Sequence, residues 1–395
     1  MLEERHIPII KSTIPLLEDA GRGLTEHFYT RMFRENPEVK HIFNLTNQAT
    51  GRQQFALFEA IAAYAKFIED LPQLTGAVER IAQKHTSFNI RPAHYQIVGH
   101  HLIETLRELA PEAFTAEVEE AWTAAYGLLS SIFIGREGEL YQERKVANGG
   151  WQGRRKFKVV AKQIESKLVT SFVFEPVDGG AVLSYESGQY LGLEVKPQQS
   201  EYREIRQYSI SQAANDSNYR ISVKRELGGD TPQGLVSNYL HEHIEVGDVI
   251  DLYPPAGDFY FVDRQSPVVL LSAGVGITPM QSMLETLAKT KYQHPVSFYH
   301  ACENSEQHSF NKQNKEICDE HGWDYKVWYQ SGAQSDSHIA SGFMHFEVRA
   351  LPINDGHFYL CGPVGFMQFA KQELMAKGVD ESRIHYEVFG PHESL

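Results

Sequence analysis

The hydrophobic pattern of this chain changes period at Asn148-Gly149-Gly150. Before that point apolar side chains recur at helical spacing and strand signals are absent. After it, short runs alternate from residue to residue as strands do. An asparagine followed by two glycines ends a helix, so the 395 residues divide into an all-helical first part and a β-containing remainder. That length leaves room for two or three domains.

The helical part shows three apolar faces. Leu24, Phe28 and Met32 form one, ending before Asn36-Pro37; Leu57, Ile61, Tyr64, Ile68 and Leu71 form a second, predicted to run on to Pro72; Trp122, Tyr126, Leu129 and Phe133 form a third. Between the last two lies Ile81-Ala-Gln-Lys-His85-Thr-Ser-Phe88, followed by Pro92 and Tyr95. Ile81, His85 and Phe88 share one helical face, and Pro92 suits the first turn of the next helix. His85 is therefore expected to point inward with Tyr95 returning beside it. That pattern reads either as a satisfied core histidine or as a metal ligand.

Beyond the break, residues 156–161, 169–174 and 219–224 alternate as short strands, the pattern of a small antiparallel barrel. Two motifs fall inside it. One is Arg206-Gln207-Tyr208-Ser209, preceded by Gly188-Gln189-Tyr190; the other is Gly234-Leu-Val-Ser237-Asn238, which opens a helix running to about His243. Read plainly, the first is a barrel strand with a surface arginine. Its residue types also suit a flavin: Tyr208 offers an aromatic face, Ser209 a donor, Arg206 a bidentate phosphate partner. The amides around Ser237 offer an anion site at a helix start.

From Val268 the pattern changes again. Val268-Val-Leu-Leu-Ser is a continuous apolar run, as in a buried parallel strand. It enters Ala273-Gly274-Val-Gly276-Ile-Thr278-Pro279 and a helix predicted over 280–288. Such glycines bring backbone amides close to a pyrophosphate, although Pro279 stands near the place of the usual third glycine. A second strand and turn, His357-Phe-Tyr-Leu-Cys361-Gly362-Pro363, recurs later, so a doubly wound parallel sheet is expected.

The helical part closely resembles the haem domain of the bacterial and yeast flavohaemoglobins, at Phe28-Tyr29, Pro37, Phe43, Gln53, Leu57, His85, Tyr95 and Glu137. The remainder resembles the ferredoxin-reductase superfamily at the motifs just described. The resemblance implies a globin over 1–147, an FAD-binding β-barrel over 148–262 and an NAD(P)H-binding α/β domain over 263–395. It implies His85 as proximal ligand to the iron of haem b, Phe43 against the haem plane, and Tyr29, Gln53 and Leu57 on the gas-binding side. Gln53 and Leu57, four apart, would face one pocket. Tyr95 and Glu137 would tune His85, since partners of this kind raise ligand basicity. Without the resemblance, Glu137 reads as a solvated charge near a helix end. Tyr190, Arg206, Gln207, Tyr208, Ser209, Gly234 and Ser237 would hold FAD. Gly274, Gly276, Thr278, Pro279, Cys361, Gly362 and Pro363 would hold the nicotinamide nucleotide. Glu387 and Phe389 lie near the C-terminus, Phe389 implied to lie on the flavin and otherwise a capping aromatic. The acid Glu303, with no arginine nearby, leans toward NADH over NADPH.

The implied reaction is oxidation of NO by O₂ to nitrate, with electrons passing from NAD(P)H through FAD to haem, because a flavin links a two-electron donor to a one-electron acceptor. A gas sensor or oxygen carrier, a general flavin reductase and an anaerobic NO reductase are the alternatives. A net charge of −14 argues against nucleic-acid partners, and no apolar run reaches the roughly 20 residues of a membrane span. Three cysteines, at 302, 318 and 361, have no metal spacing. They and the charged N-terminus fit the cytoplasm. No oligomer signal is evident, so a monomer is expected.

Overall fold

A computed structural model describes residues 2–43, 52–229, 233–332, 336–346 and 351–390; within these, the side chains of residues 18–20, 22 and 52–58 are outside the description. By internal contacts the chain forms two compact units. One comprises Met1–Ala147 with Glu194–Arg206, the other Asn148–Leu193 with Gln207–Leu395.

The first unit is helical: α1 (His6–Ser12), α2 (Ile14–Glu35), α3 (Arg52–Lys66), α4 (Thr75–Thr86), α5 (Pro92–Leu109) and α6 (Ala116–Val146). Leu24, Phe28 and Met32 of α2 are buried in its core with Ile61 and Tyr64 of α3 and Trp122 of α6. The second apolar face does not continue as one helix to Pro72. The helix α3 stops at Lys66, the Asp70 amide turns back to the Phe67 carbonyl, and a 3₁₀ turn over Leu71–Leu74 carries the proline. Ile68 therefore reaches the core from the turn after the helix, 4 % exposed. Pro92 is the first residue of α5, and its ring there displaces no helical hydrogen bond.

An antiparallel sheet follows, of strand order β4-β3-β6-β1-β2-β5: β1 (Arg155–Ile164), β2 (Val169–Pro176), β3 (Tyr190–Val195), β4 (Glu204–Ser209), β5 (Tyr219–Lys224) and β6 (Val249–Leu252). Just past β4, Ile210 bridges Ile221 of β5 and the Ser211 amide donates to the Arg220 carbonyl. The two outer strands therefore approach each other, which curls the sheet into the expected barrel. The helix α7 (Leu235–His243) leads into β6.

A parallel sheet of order β10-β9-β8-β7-β11-β12 completes the chain: β7 (Val268–Ala273), β8 (Val296–Cys302), β9 (Asp324–Tyr329), β10 (Ile339–Ser341), β11 (His357–Cys361) and β12 (Ile384–Glu387). All six residues of β7 are buried. Val268 and Leu270 pack with α8 (Ile277–Lys289) and α9 (Asn311–His321). Val269 and Leu271 pack with α10 (Val364–Ala376) on the other face. Covering both faces explains the unbroken apolar run. The helix α8 begins three residues earlier than expected, at Ile277, because Pro279 fits a first helical turn, where its missing N–H costs no bond. The chain winds outward from β7 through β8 and β9, then returns to place β11 on the other side of β7. This is a topological switch point, where open α/β sheets bind ligands. Among the described residues no helix is long and apolar enough to cross a membrane.

Candidate functional site

In the helical unit, His85 sits in the last turn of α4. Its Nδ1 lies 2.8 Å from Glu137 Oε1 and 2.9 Å from the Tyr95 hydroxyl. The Tyr95 hydroxyl itself donates to Glu137. Burial, and then the Glu137 carboxylate, push the Tyr95 phenol far above its ordinary range, which keeps it a donor. Glu137 is 2 % exposed, so it is not the solvated helix-end charge that its sequence neighbours resemble. With Nδ1–H committed to Glu137, Nε2 is the nitrogen of His85 left free to take a metal. The side chain keeps 32 % of its surface accessible although Ala82 and Thr86 beside it are buried. An imidazole with one nitrogen fixed by a carboxylate and the other edge open is the donor chemistry a haem iron takes.

The long helix α6 holds this arrangement in place. The Tyr141 hydroxyl donates to the Ile90 carbonyl at 2.8 Å, Tyr126 to the Tyr95 carbonyl at 2.6 Å, and Arg136 Nε to Glu79 at 2.6 Å. Arg144 bonds Gln83 and Thr86 of α4. Gly99 on α5 makes room for Tyr126: a Cβ there would lie 2.4 Å from the tyrosine ring. These latches were not read from the sequence. Tyr126 appeared only as one apolar-face residue, and the available signal was a glycine inside a helix, which costs about 1 kcal/mol against alanine without a packing reason.

In the core of the same unit, Tyr29 is 5 % exposed and meets Phe43 edge-on at 5.7 Å, with Phe33 also 5.7 Å away. Gln53 and Leu57 lie on α3, but their side chains are outside the described residues.

The flavin motif forms β4. Arg206, Gln207 and Tyr208 are half-buried and Ser209 is buried. Arg206 is 3.0 Å from the Glu204 carboxylate and donates to the Ile205 carbonyl at 2.8 Å. Tyr190 opens β3 against the 254–258 turn, where a Cβ on Gly257 would meet its ring at 2.9 Å. Gly234 is the N-cap of α7 and has no side chain to cap the first turn, whose amides suit an anion. The Ser237 hydroxyl is turned toward its own loop, accepting from the Glu226 amide and donating to the Gly234 carbonyl, both at 3.3 Å.

The nucleotide motifs meet at the switch point. Gly274 has φ of +54°, and Gly276 caps α8. A Cβ on Gly276 would lie 2.2 Å from the Cys361 carbonyl oxygen and 2.6 Å from the Gly362 amide. Only hydrogen fits between the β7 and β11 turns, which is the cradle a dinucleotide needs. Thr278 is buried and donates to the Val275 carbonyl at 3.1 Å; Pro279 is buried in the first turn of α8. Pro363 caps α10. Cys361 is fully buried, and burial raises its thiol well above the ordinary range, so it lines the turn as a neutral group. Glu387 ends β12 in register with Cys361, and Phe389, two residues on, is 43 % exposed.

A helical unit built around a carboxylate-braced histidine, followed by a flavin-type barrel and a dinucleotide-type sheet, defines a class: a globin joined to a nicotinamide-driven flavin reductase. The family models described as Globin, Oxidoreductase FAD-binding domain and Oxidoreductase NAD-binding domain match residues 26–133, 156–261 and 270–372. The chain is 61 % identical to the "Flavohemoprotein" of Vibrio cholerae serotype O1, covering all of both chains. It is also similar to two solved structures. One is the flavohem-like FAD/NAD binding domain of nitric oxide dioxygenase from Vibrio cholerae O1, 54 % identical over 60 % of this chain and 99 % of that one, with a TM-score of 0.57. The other is the flavohemoglobin of Malassezia yamatoensis with bound FAD and heme, 27 % identical over 98 % of this chain and 100 % of that one, with a TM-score of 0.87. The chain belongs to the flavohemoprotein family. It is an oxidoreductase in which an NAD(P)H-dependent flavin module is coupled to a globin.

Proposed function

We propose that this protein is a nitric oxide dioxygenase, with the overall reaction 2 NO + 2 O₂ + NAD(P)H → 2 NO₃⁻ + NAD(P)⁺ + H⁺. The observation that carries the reading is the buried Glu137 carboxylate on His85 Nδ1. The relative from Vibrio cholerae whose FAD/NAD portion is named for that activity supports it.

When bound, haem supplies a redox-active iron open to diatomic gases, and FAD divides the electron pair of the nicotinamide. His85 Nε2 holds the iron. Glu137 accepts the Nδ1 proton in a hydrogen bond and so gives the imidazole imidazolate character, which increases its donation to the metal. That donation favours reaction of a bound gas over its release, unlike the weaker field of a storage protein. Tyr95 donates to the same carboxylate and holds it against Nδ1. Tyr29 would offer a hydroxyl to a bound gas, with Gln53 and Leu57 proposed beside it, and Phe43 would pack against a bound haem. Tyr190, Arg206, Gln207, Tyr208 and Ser209 orient FAD, and Gly234 with the α7 amides cradles its phosphates. Gly274, Gly276, Thr278, Cys361, Gly362 and Pro363 admit the nicotinamide nucleotide. Phe389, exposed beyond β12, would pack on a bound flavin.

Glu303, one residue past β8, accepts from Ser331 at 3.0 Å and offers a carboxylate where a 2′-phosphate would need a cation. NADH is therefore the preferred donor, and a higher kcat/KM for NADPH would contradict this.

The test is to supply the purified holoprotein with NADH, O₂ and NO and follow NO loss and nitrate formation. Stoichiometric nitrate is expected, with the reaction abolished in His85→Ala while NADH still reduces the flavin. NO consumption that persists in His85→Ala would place the chemistry at the flavin and overturn the proposal.

A further inference from the structure

We infer that Glu285 is a positioning residue, which fixes the nucleotide-binding sheet to the flavin barrel in the geometry that hydride transfer requires. The inference rests on the reductase half of the reading above and not on NO chemistry.

Glu285 lies on α8, the helix that begins at the Gly274–Gly276 turn. Its carboxylate accepts from four N–H groups, three of them on segments other than its own helix. Oε2 takes the Ala213 amide at 2.9 Å. Oε1 takes Arg220 Nη2 at 2.7 Å, Gln313 Nε2 at 3.0 Å and Gln281 Nε2 at 3.1 Å. Ala213 and Arg220 belong to the barrel, one in the segment after β4 and one on β5; Gln313 is on α9. The Arg220 guanidinium also lies over the Phe310 ring at 5.4 Å and donates to the Ser211 carbonyl. Glu285 thus carries charge-assisted bonds that tie both halves of the reductase to one side chain.

The neighbours make this a line of attachment. Ser282 Oγ donates to the Gln212 carbonyl and Lys289 Nζ to the Ala214 carbonyl, each at 2.7 Å, and Thr286 shares a hydroxyl bond with Ser187 at 2.5 Å. Positions 282, 285, 286 and 289 fall on one face of a helix. That face is fastened to Ser187 and to residues 212–214, the latter beginning three residues after Ser209. The opposite end of the same helix, about 13 Å from Glu285 at 1.5 Å per residue, is the dinucleotide turn. A tilt of α8 about its attachment would displace the nucleotide relative to the flavin motif. Reacting atoms must approach to about 3–3.5 Å, and a 1 Å misplacement can cost a hundredfold in rate.

The experiment is anaerobic stopped-flow reduction of the full-length, FAD-loaded holoprotein by NADH and by NADH deuterated at C4, comparing the parent with Glu285→Ala and Glu285→Gln. The glutamine retains one oxygen acceptor and the side-chain volume but loses the charge. For Glu285→Gln the expected result is unchanged FAD content, half-saturating NADH within about twofold, a limiting rate of flavin reduction lowered roughly tenfold or more, and a larger deuterium isotope effect. Glu285→Ala should lose more. A limiting rate unchanged in Glu285→Gln, or a loss in both variants that only tracks lost FAD, overturns the inference. A parent flavin that NADH does not reduce would overturn the reductase reading instead, and the two failures are distinguishable.

Discussion

The Glu137 carboxylate lies 2.8 Å from Nδ1 of His85, two residues 52 positions apart that α6 brings together. Because the carboxylate is buried, its pull on the imidazole proton is not diluted by water. Glu137→Gln keeps the shape and removes the charge. The expected outcome is a fall of about 10–100-fold in NO-dependent NADH turnover, the usual effect of losing a partner that supports a metal ligand. Anaerobic reduction of the flavin by NADH should be unaffected. Steady-state NO consumption at saturating NADH, with flavin reduction as the internal control, checks this; equal NO turnover would remove Glu137 from the mechanism.

Tyr29 presents its ring edge-on to Phe43 in a nearly dry part of the helical unit. As the proposed donor to a bound gas, its hydroxyl would contribute roughly 1.5–3 kcal/mol in a hydrogen bond to a charged partner. Tyr29→Phe is expected to speed dioxygen release from the reduced holoprotein severalfold or more. Laser photolysis or stopped-flow displacement by carbon monoxide measures that rate directly. An unchanged off-rate would mean that the hydroxyl serves only its own fold.

Much of this organisation was legible because it is periodic. The face of Leu24, Phe28 and Met32, the unbroken run of β7 and the two glycine turns are each local signals, and each element forms where it was expected. What was not legible depends on distance in sequence. The end of α3 was misjudged because Ile68 and Leu71 keep helical spacing while leaving the helix at a turn, so the period alone could not mark the boundary. Burial of Glu137 was invisible beside Arg136 and Glu139, because a charge run looks solvated until the facing helix is known. The Glu285 attachment involves ordinary surface residue types on three segments, and nothing in its local pattern separates it from a helix exterior.

The turns after β7 and β11 touch at Gly276, where a Cβ would meet the Cys361 carbonyl oxygen at 2.2 Å and the Gly362 amide at 2.6 Å. Both atoms are backbone and cannot rotate away. Gly276→Ala must therefore part the two strand ends, an overpacking that costs about 1–3 kcal/mol. The expected outcome is a lower melting temperature by several degrees and a rise of at least about tenfold in the NADH concentration that half-saturates flavin reduction, since each 1.4 kcal/mol is tenfold in binding. Titration with NADH under anaerobic conditions reads this. Intact NADH affinity would show that the nucleotide does not use this cradle.

His300 and His308 lie against each other in the interior of the nucleotide-binding sheet, ring centroids 4.9 Å apart and planes tilted by 30°. His300 Nδ1 is 2.9 Å from the Ser272 hydroxyl and His308 Nδ1 is 2.9 Å from the Tyr329 hydroxyl, and no carboxylate is among these partners. Burial lowers both imidazoles, His300 well below its usual range and His308 to about 3. Unfolded, each would take up its proton near pH 6.5. Between about pH 3 and 6.5 the unfolded chain therefore binds more protons than the folded one, and stability must fall as the solution is acidified through that window. Above pH 6.5 both states are neutral at these positions and the contribution is constant. His308→Gln keeps a polar group facing Tyr329 but cannot titrate. The urea midpoint of the parent is expected to drop more steeply from pH 7 to pH 5 than that of His308→Gln, with carboxylate effects common to both. Parallel pH dependences would mean that the folded interior already accommodates the proton on His308.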